Sequence, residues 1–130
     1  DEKPGETLIR LTGNGLFASG SARLQADRLA LLERVAAALR DVPGRVVVAG
    51  HTDNDPMPNS LRLKFASNWE LSQARAETVR ALLESNGVNP ARLVAEGRAD
   101  TEEIVPNTSS ANKARNRRVD ILLQPRANSI

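Results

Sequence analysis

Arg45-Val46-Val47-Val48-Ala49-Gly50-His51-Thr52-Asp53-Asn54 is the stretch on which the fold turns. Its continuous apolar run is too short for a helix and lacks the alternation of a half-exposed strand. It reads as a strand from Arg45 to Gly50 covered on both faces. Upstream, Leu29, Leu32, Val35, Ala36 and Leu39 repeat with helical spacing from Asp27, and Pro43-Gly44 ends that helix. Downstream, a long connection from His51 to Asn68 carries Pro56 and Pro58, and connections of that length are usually functional. Ser67-Asn68-Trp69-Glu70 then matches a capping box. The helix it opens presents Ser72, Ala76, Val79, Leu82 and Leu83 on one face and stops at Asn86-Gly87.

The flanks complete the pattern. Thr7 to Leu11 reads as a strand broken by Gly13-Asn14-Gly15, and Leu93 to Glu96 as another. A polar helix from about Ser110 to Asn116 and a strand from Val119 to Leu123 follow. Strands alternating with helices predict an α/β (α+β) two-layer sandwich, one sheet backed by two main helices. Ligands in such sheets gather beyond strand ends, so His51 to Asn54 and the start of the Ser67 helix should share one rim.

Composition bounds the function. The 130 residues suit a single domain, 1–130, with a core at about 8–123 and short flexible ends. Hydrophobic residues at 40% and charged residues at 26% fit neither a disordered nor a membrane-embedded chain. Aromatic content is only 2%, namely Phe17, Phe65 and Trp69, so the core is aliphatic and stacking platforms for bases or sugars are disfavoured. Without Cys there are no disulfides, thiolate metal sites or thiol nucleophiles. No apolar run approaches the ~18 residues of a membrane span, and Asp1-Glu2-Lys3-Pro4 is no signal peptide. Net charge is +2, with five basic residues against Asp120 alone from Asn112 onward. That tail has no groove-reading helix and little aromatic support, so nucleic acid is not the expected partner.

Several residues ask for more than a fold. Arg75 lies about 40° from the Val79-centred apolar stripe, so its guanidinium is partly desolvated and needs a partner. Asp53 is the partner that spacing offers, either as a structural ion pair or as a pair that holds a ligand. His51 is the only histidine, which excludes a multi-histidine zinc site. A mixed His51, Asp53, Asp55 metal site has no recognisable spacing. The expected role of His51 is a neutral imidazole hydrogen-bonded to the loop, holding the turn that carries Thr52 and Asp53. No Gly-x-Ser-x-Gly elbow or phosphate loop is present, so catalysis is not expected. In the last strand, alternation sends Arg117 and Arg118 to opposite sides, leaving at most one for the rim.

Three motifs in order, Gly50-His51-Thr52-Asp53, Asn68-x-x-Leu71-Ser72-x-x-Arg75-Ala76 and Asn116-Arg117-Arg118-Val119, resemble the signatures of the OmpA-like peptidoglycan-binding domain. The resemblance spans about Leu8 to Leu123. It implies a β/α/β/α/β(α)β fold with a mixed sheet, and noncatalytic recognition of the meso-diaminopimelate of the peptidoglycan stem peptide, without metal or cofactor. The ligand ends in an amine and a carboxylate on one carbon, which calls for one anion and one cation close together. The resemblance assigns those roles to Asp53 and Arg75, with Arg117 and Asn68 as further contacts. Thr52 and Leu71, within the same motifs, are expected at the ligand too, and the free N–H groups from Asn68 to Leu71 favour a carboxylate. Many members carry an aspartate after the phenylalanine where Ala18 follows Phe17, so contacts in that turn fall to Ser19 and Gly20.

The long Asp53 to Asn68 connection is similar to two inner-membrane groups, the MotB flagellar stators and the TssL components of type VI secretion. Gly15-Leu16-Phe17-Ala18-Ser19-Gly20-Ser21-Ala22 and Glu96-Gly97-Arg98-Ala99-Asp100-Thr101 are more like TssL. That likeness implies the periplasmic domain of a Gram-negative inner-membrane protein. Its partners would be peptidoglycan and other subunits of a membrane complex, and it would touch the membrane only through a transmembrane segment before Asp1. The alternatives are a stator domain, or a structural module that dimerises through Leu61, Leu63 and Phe65 and has lost wall binding.

Overall fold

The computed structural model describes residues 6–12, 16–17, 21–57 and 65–124. Four strands form one mixed sheet: β1 (Thr7–Thr12), β2 (Arg45–His51), β3 (Leu93–Gly97) and β4 (Arg118–Gln124), in the order β1-β4-β2-β3. Helices α1 (Leu29–Arg40) and α2 (Asn68–Ser85) supply its backing, and the short α3 (Ser110–Asn116) leads into β4. β2 and β3 are parallel, joined by α2 as a crossover, whereas β4 lies antiparallel between β1 and β2. The expected elements all form, and the mixed sheet is that of an α+β sandwich.

Alternation in the sheet sorts the side chains. Val46 and Val48 of β2, with Val119 and Ile121 of β4, are buried against Leu32, Val35 and Leu39 of α1 and Val79 and Leu83 of α2. Phe17 is the one aromatic ring in that cluster among the described residues, as the scarcity of rings requires. Fully burying each such aliphatic side chain contributes about 1.5–3 kcal/mol. On the opposite face Asp120 accepts two bonds from Arg10 of β1, at 2.9 and 3.1 Å, and one from Arg118 at 3.2 Å. Arg118 also donates to the carbonyls of Asn116 and Glu102, so each of its guanidinium nitrogens has an acceptor. The Asp120 carboxylate and the Arg118 guanidinium are thereby partnered, which is what makes their burial tolerable.

α2 can lie close to the sheet because Gly50 and Gly97 are register partners beneath it. A Cβ on Gly50 would fall 2.2 Å from the Ser72 carbonyl oxygen, and one on Gly97 would fall 2.6 Å from the Gln73 nitrogen. Ser72 is wholly buried; its hydroxyl donates to the Trp69 carbonyl and accepts from the Ala99 N–H. Arg98 N–H bonds the Gly50 carbonyl, so Ala95 and Gly97 turn their backbone groups away from β2. There the Gln73 amide takes one group of each, donating to the Ala95 carbonyl at 3.2 Å and accepting from Gly97 N–H at 2.8 Å.

Candidate functional site

The chain leaves β2 at a polar rim. Thr52 is fixed on both sides: its N–H donates to the carbonyl of Ala99, itself in the left-handed region at φ 48°, and its hydroxyl donates to the Asp53 carbonyl. Asp53 follows, buried, with one carboxylate oxygen accepting from Asp55 N–H at 3.0 Å. The other oxygen receives Arg117 Nη1 at 2.5 Å. Arg117 arrives at this point because it is the last residue before β4, its N–H still bonded to Lys113 at the end of α3. Lys113, one helical turn earlier, pairs with Asp55 at 2.8 Å.

α2 closes the rim from the other side. Its Ser67 cap accepts from Trp69 N–H and donates to the Glu70 carboxylate, so the two residues of the expected capping box meet at the helix start, through a side chain–side chain bond in place of the reciprocal backbone ones. The same hydroxyl bond holds the Glu70 carboxyl below the usual carboxylate range. Asn68, in the first turn, donates to the Asp55 carbonyl at 2.7 Å and so ties the helix start to the Asp53 loop. Leu71 is buried and packs rather than offering a polar contact.

Arg75 departs from the expected ion pair with Asp53. Its Nε donates to the Ser21 carbonyl at 2.8 Å, and its guanidinium stands over the Phe17 ring, 5.0 Å from the centroid. The reason is the flank of α2 on which it sits: Thr78, on the same flank, also reaches back to that segment, donating to the Ala22 carbonyl. Asp53 has meanwhile been taken by Arg117. No carboxylate pairs with Arg75 among the described residues. Burial lowers its pKa to about 10, with Arg117 adding repulsion and Asp53 acting in the opposite sense. The rim therefore holds two guanidinium groups against one buried carboxylate.

His51 also departs from its expected role. Its imidazole is buried, yet neither ring nitrogen has a hydrogen-bond partner, and Nε2 lies 3.6 Å from Asp120. Strand alternation places it opposite Arg118 on the far side of the sheet, away from the loop it was expected to hold. Burial, then the Arg118 charge, lowers its pKa to about 4, so it is neutral. Ser19 and Gly20 lie outside the described residues, as do Leu61 and Leu63. Among the described residues no three carboxylate or histidine side chains cluster as a metal site.

Two contributions carried no signal that spacing alone resolves. Asn116 is wholly buried; its Oδ1 accepts from the N–H groups of Ile104 and Val105, and its Nδ2 donates to the Val105 carbonyl and Asn107. It pins the 104–107 loop behind Arg117. Phe17, legible as a core residue, is also the surface on which Arg75 rests.

The OmpA family model matches residues 16–117, which include Asp53, Arg75 and Arg117. The chain belongs to the OmpA family. The cell wall anchor of the T6SS from Pseudomonas aeruginosa is similar to this OmpA-family domain, at TM-score 0.85 and 44% identity over 92% of this chain and 82% of that one. The periplasmic domain of Helicobacter pylori MotB superposes at TM-score 0.87 with 31% identity, covering 99% of this chain and 82% of the other. Motility protein B of Bacillus subtilis is 33% identical over 92% of the chain and 45% of its own length. The OmpA-family domain spans about half the length of the relatives it matches in sequence. These are anchoring and motility proteins, and the OmpA-family domain is likewise noncatalytic. No helix among the described residues is long and apolar enough to cross a membrane.

Proposed function

We propose that this OmpA-family domain binds peptidoglycan without covalent chemistry, through the meso-diaminopimelate of the stem peptide, and so fixes a membrane complex to the cell wall. One observation carries the reading: Arg75 is a desolvated guanidinium with no carboxylate partner among the described residues, beside a buried aspartate. An unpaired cation in such a place is costly unless an anion arrives. A ligand carboxylate would complete Arg75, whose planar fork suits it, and the amine on the same carbon would meet Asp53. Arg117 and Asn68 border the same rim, with Thr52 and Leu71 holding its floor.

The wall being bound is periplasmic, and the 44% identity with a T6SS cell wall anchor favours a secretion machine of the TssL kind over a stator. In this reading the domain is one unit with its core at about 8–123. Co-sedimentation tests it. Wild-type protein pellets with diaminopimelate-type peptidoglycan and not with lysine-type, while Asp53→Ala and Arg75→Ala stay in solution with unchanged circular dichroism. Wild-type protein that stays in solution with both walls overturns it.

A further inference from the structure

Arg117 occupies the very oxygen of Asp53 that a ligand amine would need. Asp53 has two carboxylate oxygens; one is used by Asp55 N–H, and the other accepts Arg117 Nη1 at 2.5 Å. The Arg117 side chain is about a third exposed and Asp53 is buried, so the guanidinium lies between the carboxylate and solvent. From the described residues Arg117 has no second side-chain acceptor. An arriving cation must therefore share or displace it.

We infer that Arg117 is a specificity-determining gate, which denies Asp53 to lone amines and yields it to an amine that brings a carboxylate. The inference rests on the reading of the site given above. A lone ammonium that takes Asp53 leaves two guanidinium groups and itself facing one carboxylate, and Arg117 loses the one side-chain partner it has among the described residues. An amino-acid terminus supplies the replacement: as its ammonium takes Asp53, its carboxylate receives Arg75 and the released Arg117. With a lone amine one ion pair is exchanged for another and Arg117 is left without an anion; with an amino-acid terminus Asp53 stays paired and both guanidinium groups gain one. Discrimination then comes from what is left unpaired with the wrong ligand, as much as from contacts to the right one. The device distinguishes a diaminopimelate terminus from the ε-ammonium of a lysine, which has no carboxylate on the same carbon.

The test uses the whole chain and three soluble probes followed by calorimetry: meso-diaminopimelate, cadaverine, and Nα-acetyl-lysine amide. Wild-type protein should prefer meso-diaminopimelate over both amine-only probes by at least about tenfold. In Arg117→Ala that preference should collapse toward unity, because affinity for the diacid falls and affinity for the amines rises. Arg117→Gln, which keeps length and hydrogen-bonding capacity without charge, should show the same collapse and guards against a variant that merely misfolds. Variants that stay folded and retain the wild-type ratio overturn the gate while leaving the binding reading intact. Absence of meso-diaminopimelate binding by the wild type overturns the reading, and the gate with it.

Discussion

Arg75 and Asp53 stand at one rim, where the Asp53 carboxylate favours the Arg75 charge without forming an ion pair with it. Arg75 is held by a carbonyl and an aromatic ring, and Asp53 by Arg117. A structural salt bridge would have made either residue a stability element. Instead, Arg75→Ala removes one hydrogen bond to Ser21 and one ring contact, worth about 1 kcal/mol of stability. Its effect on ligand should be larger, about 2–3 kcal/mol or on the order of 100-fold. The half-exposed Trp69 indole, in the first turn of α2, offers the readout. Its fluorescence should follow meso-diaminopimelate in the wild type and remain flat in Arg75→Ala.

The buried imidazole of His51 makes the fold sensitive to mild acid. The unfolded chain takes up a proton below the ordinary histidine value of 6.5, whereas the folded one resists until about pH 4. Between those limits the unfolded state binds more protons, so stability falls as pH falls, by about 3 kcal/mol in all, and this contribution levels off below pH 4. The charges around it are Arg118, Asp120, Glu102 and Arg98. Asp120, lowered from its usual range chiefly by its bond to Arg10 against the pull of burial, loses its own contribution at still lower pH. Urea midpoints of His51→Leu should vary less than wild type between pH 6.5 and 4, with the Asp120 slope below that range retained. Parallel profiles for the two proteins would refute the assignment.

The glycine pair under α2 sets a hard limit. Gly50→Ala brings a methyl group to 2.2 Å from the Ser72 carbonyl oxygen, which is backbone and cannot rotate away. Helix and sheet must part, at about 1–3 kcal/mol or more. Gly97→Ala should behave similarly against Gln73. Chemical denaturation measures both, and a loss below about 0.5 kcal/mol in either would mean that α2 floats more freely than its packing implies.

Asn116 should be the costliest polar side chain to truncate. Asn116→Ala strips four hydrogen bonds and leaves two loop N–H groups at Ile104 and Val105 without acceptors. A loss of about 2–4 kcal/mol is expected. Asn116→Asp keeps the acceptors and loses the donors, and should fall between. Hydrogen exchange at Ile104 and Val105 localises the effect; protection unchanged in Asn116→Ala would show that the loop is held by other means.

Most of the architecture was legible because the sequence states it locally. The apolar run Val46 to Ala49, the Ser67 to Glu70 cap and the polar segment Ser110 to Asn116 each became the predicted element. The separation of Arg117 and Arg118 to opposite faces followed from strand alternation alone. What failed was the pairing of groups distant in sequence. Nothing in a helical wheel says that the flank bearing Arg75 faces Phe17 and Ser21 instead of Asp53. Nor does it say that His51 ends opposite Arg118, since that depends on β4 inserting between β1 and β2.

The Gln73 amide has a consequence for the molecule's neighbours. By answering the Ala95 carbonyl and the Gly97 N–H as a neighbouring strand would, it removes two adjacent backbone groups of β3 from those a foreign strand could pair with. Proteins concentrated side by side on a rigid polymer are under constant pressure to zip together through exposed sheet margins. Here one margin is interrupted by a side chain from the domain's own helix, so crowding on the wall should favour separate, individually detachable moorings over pairing along that side.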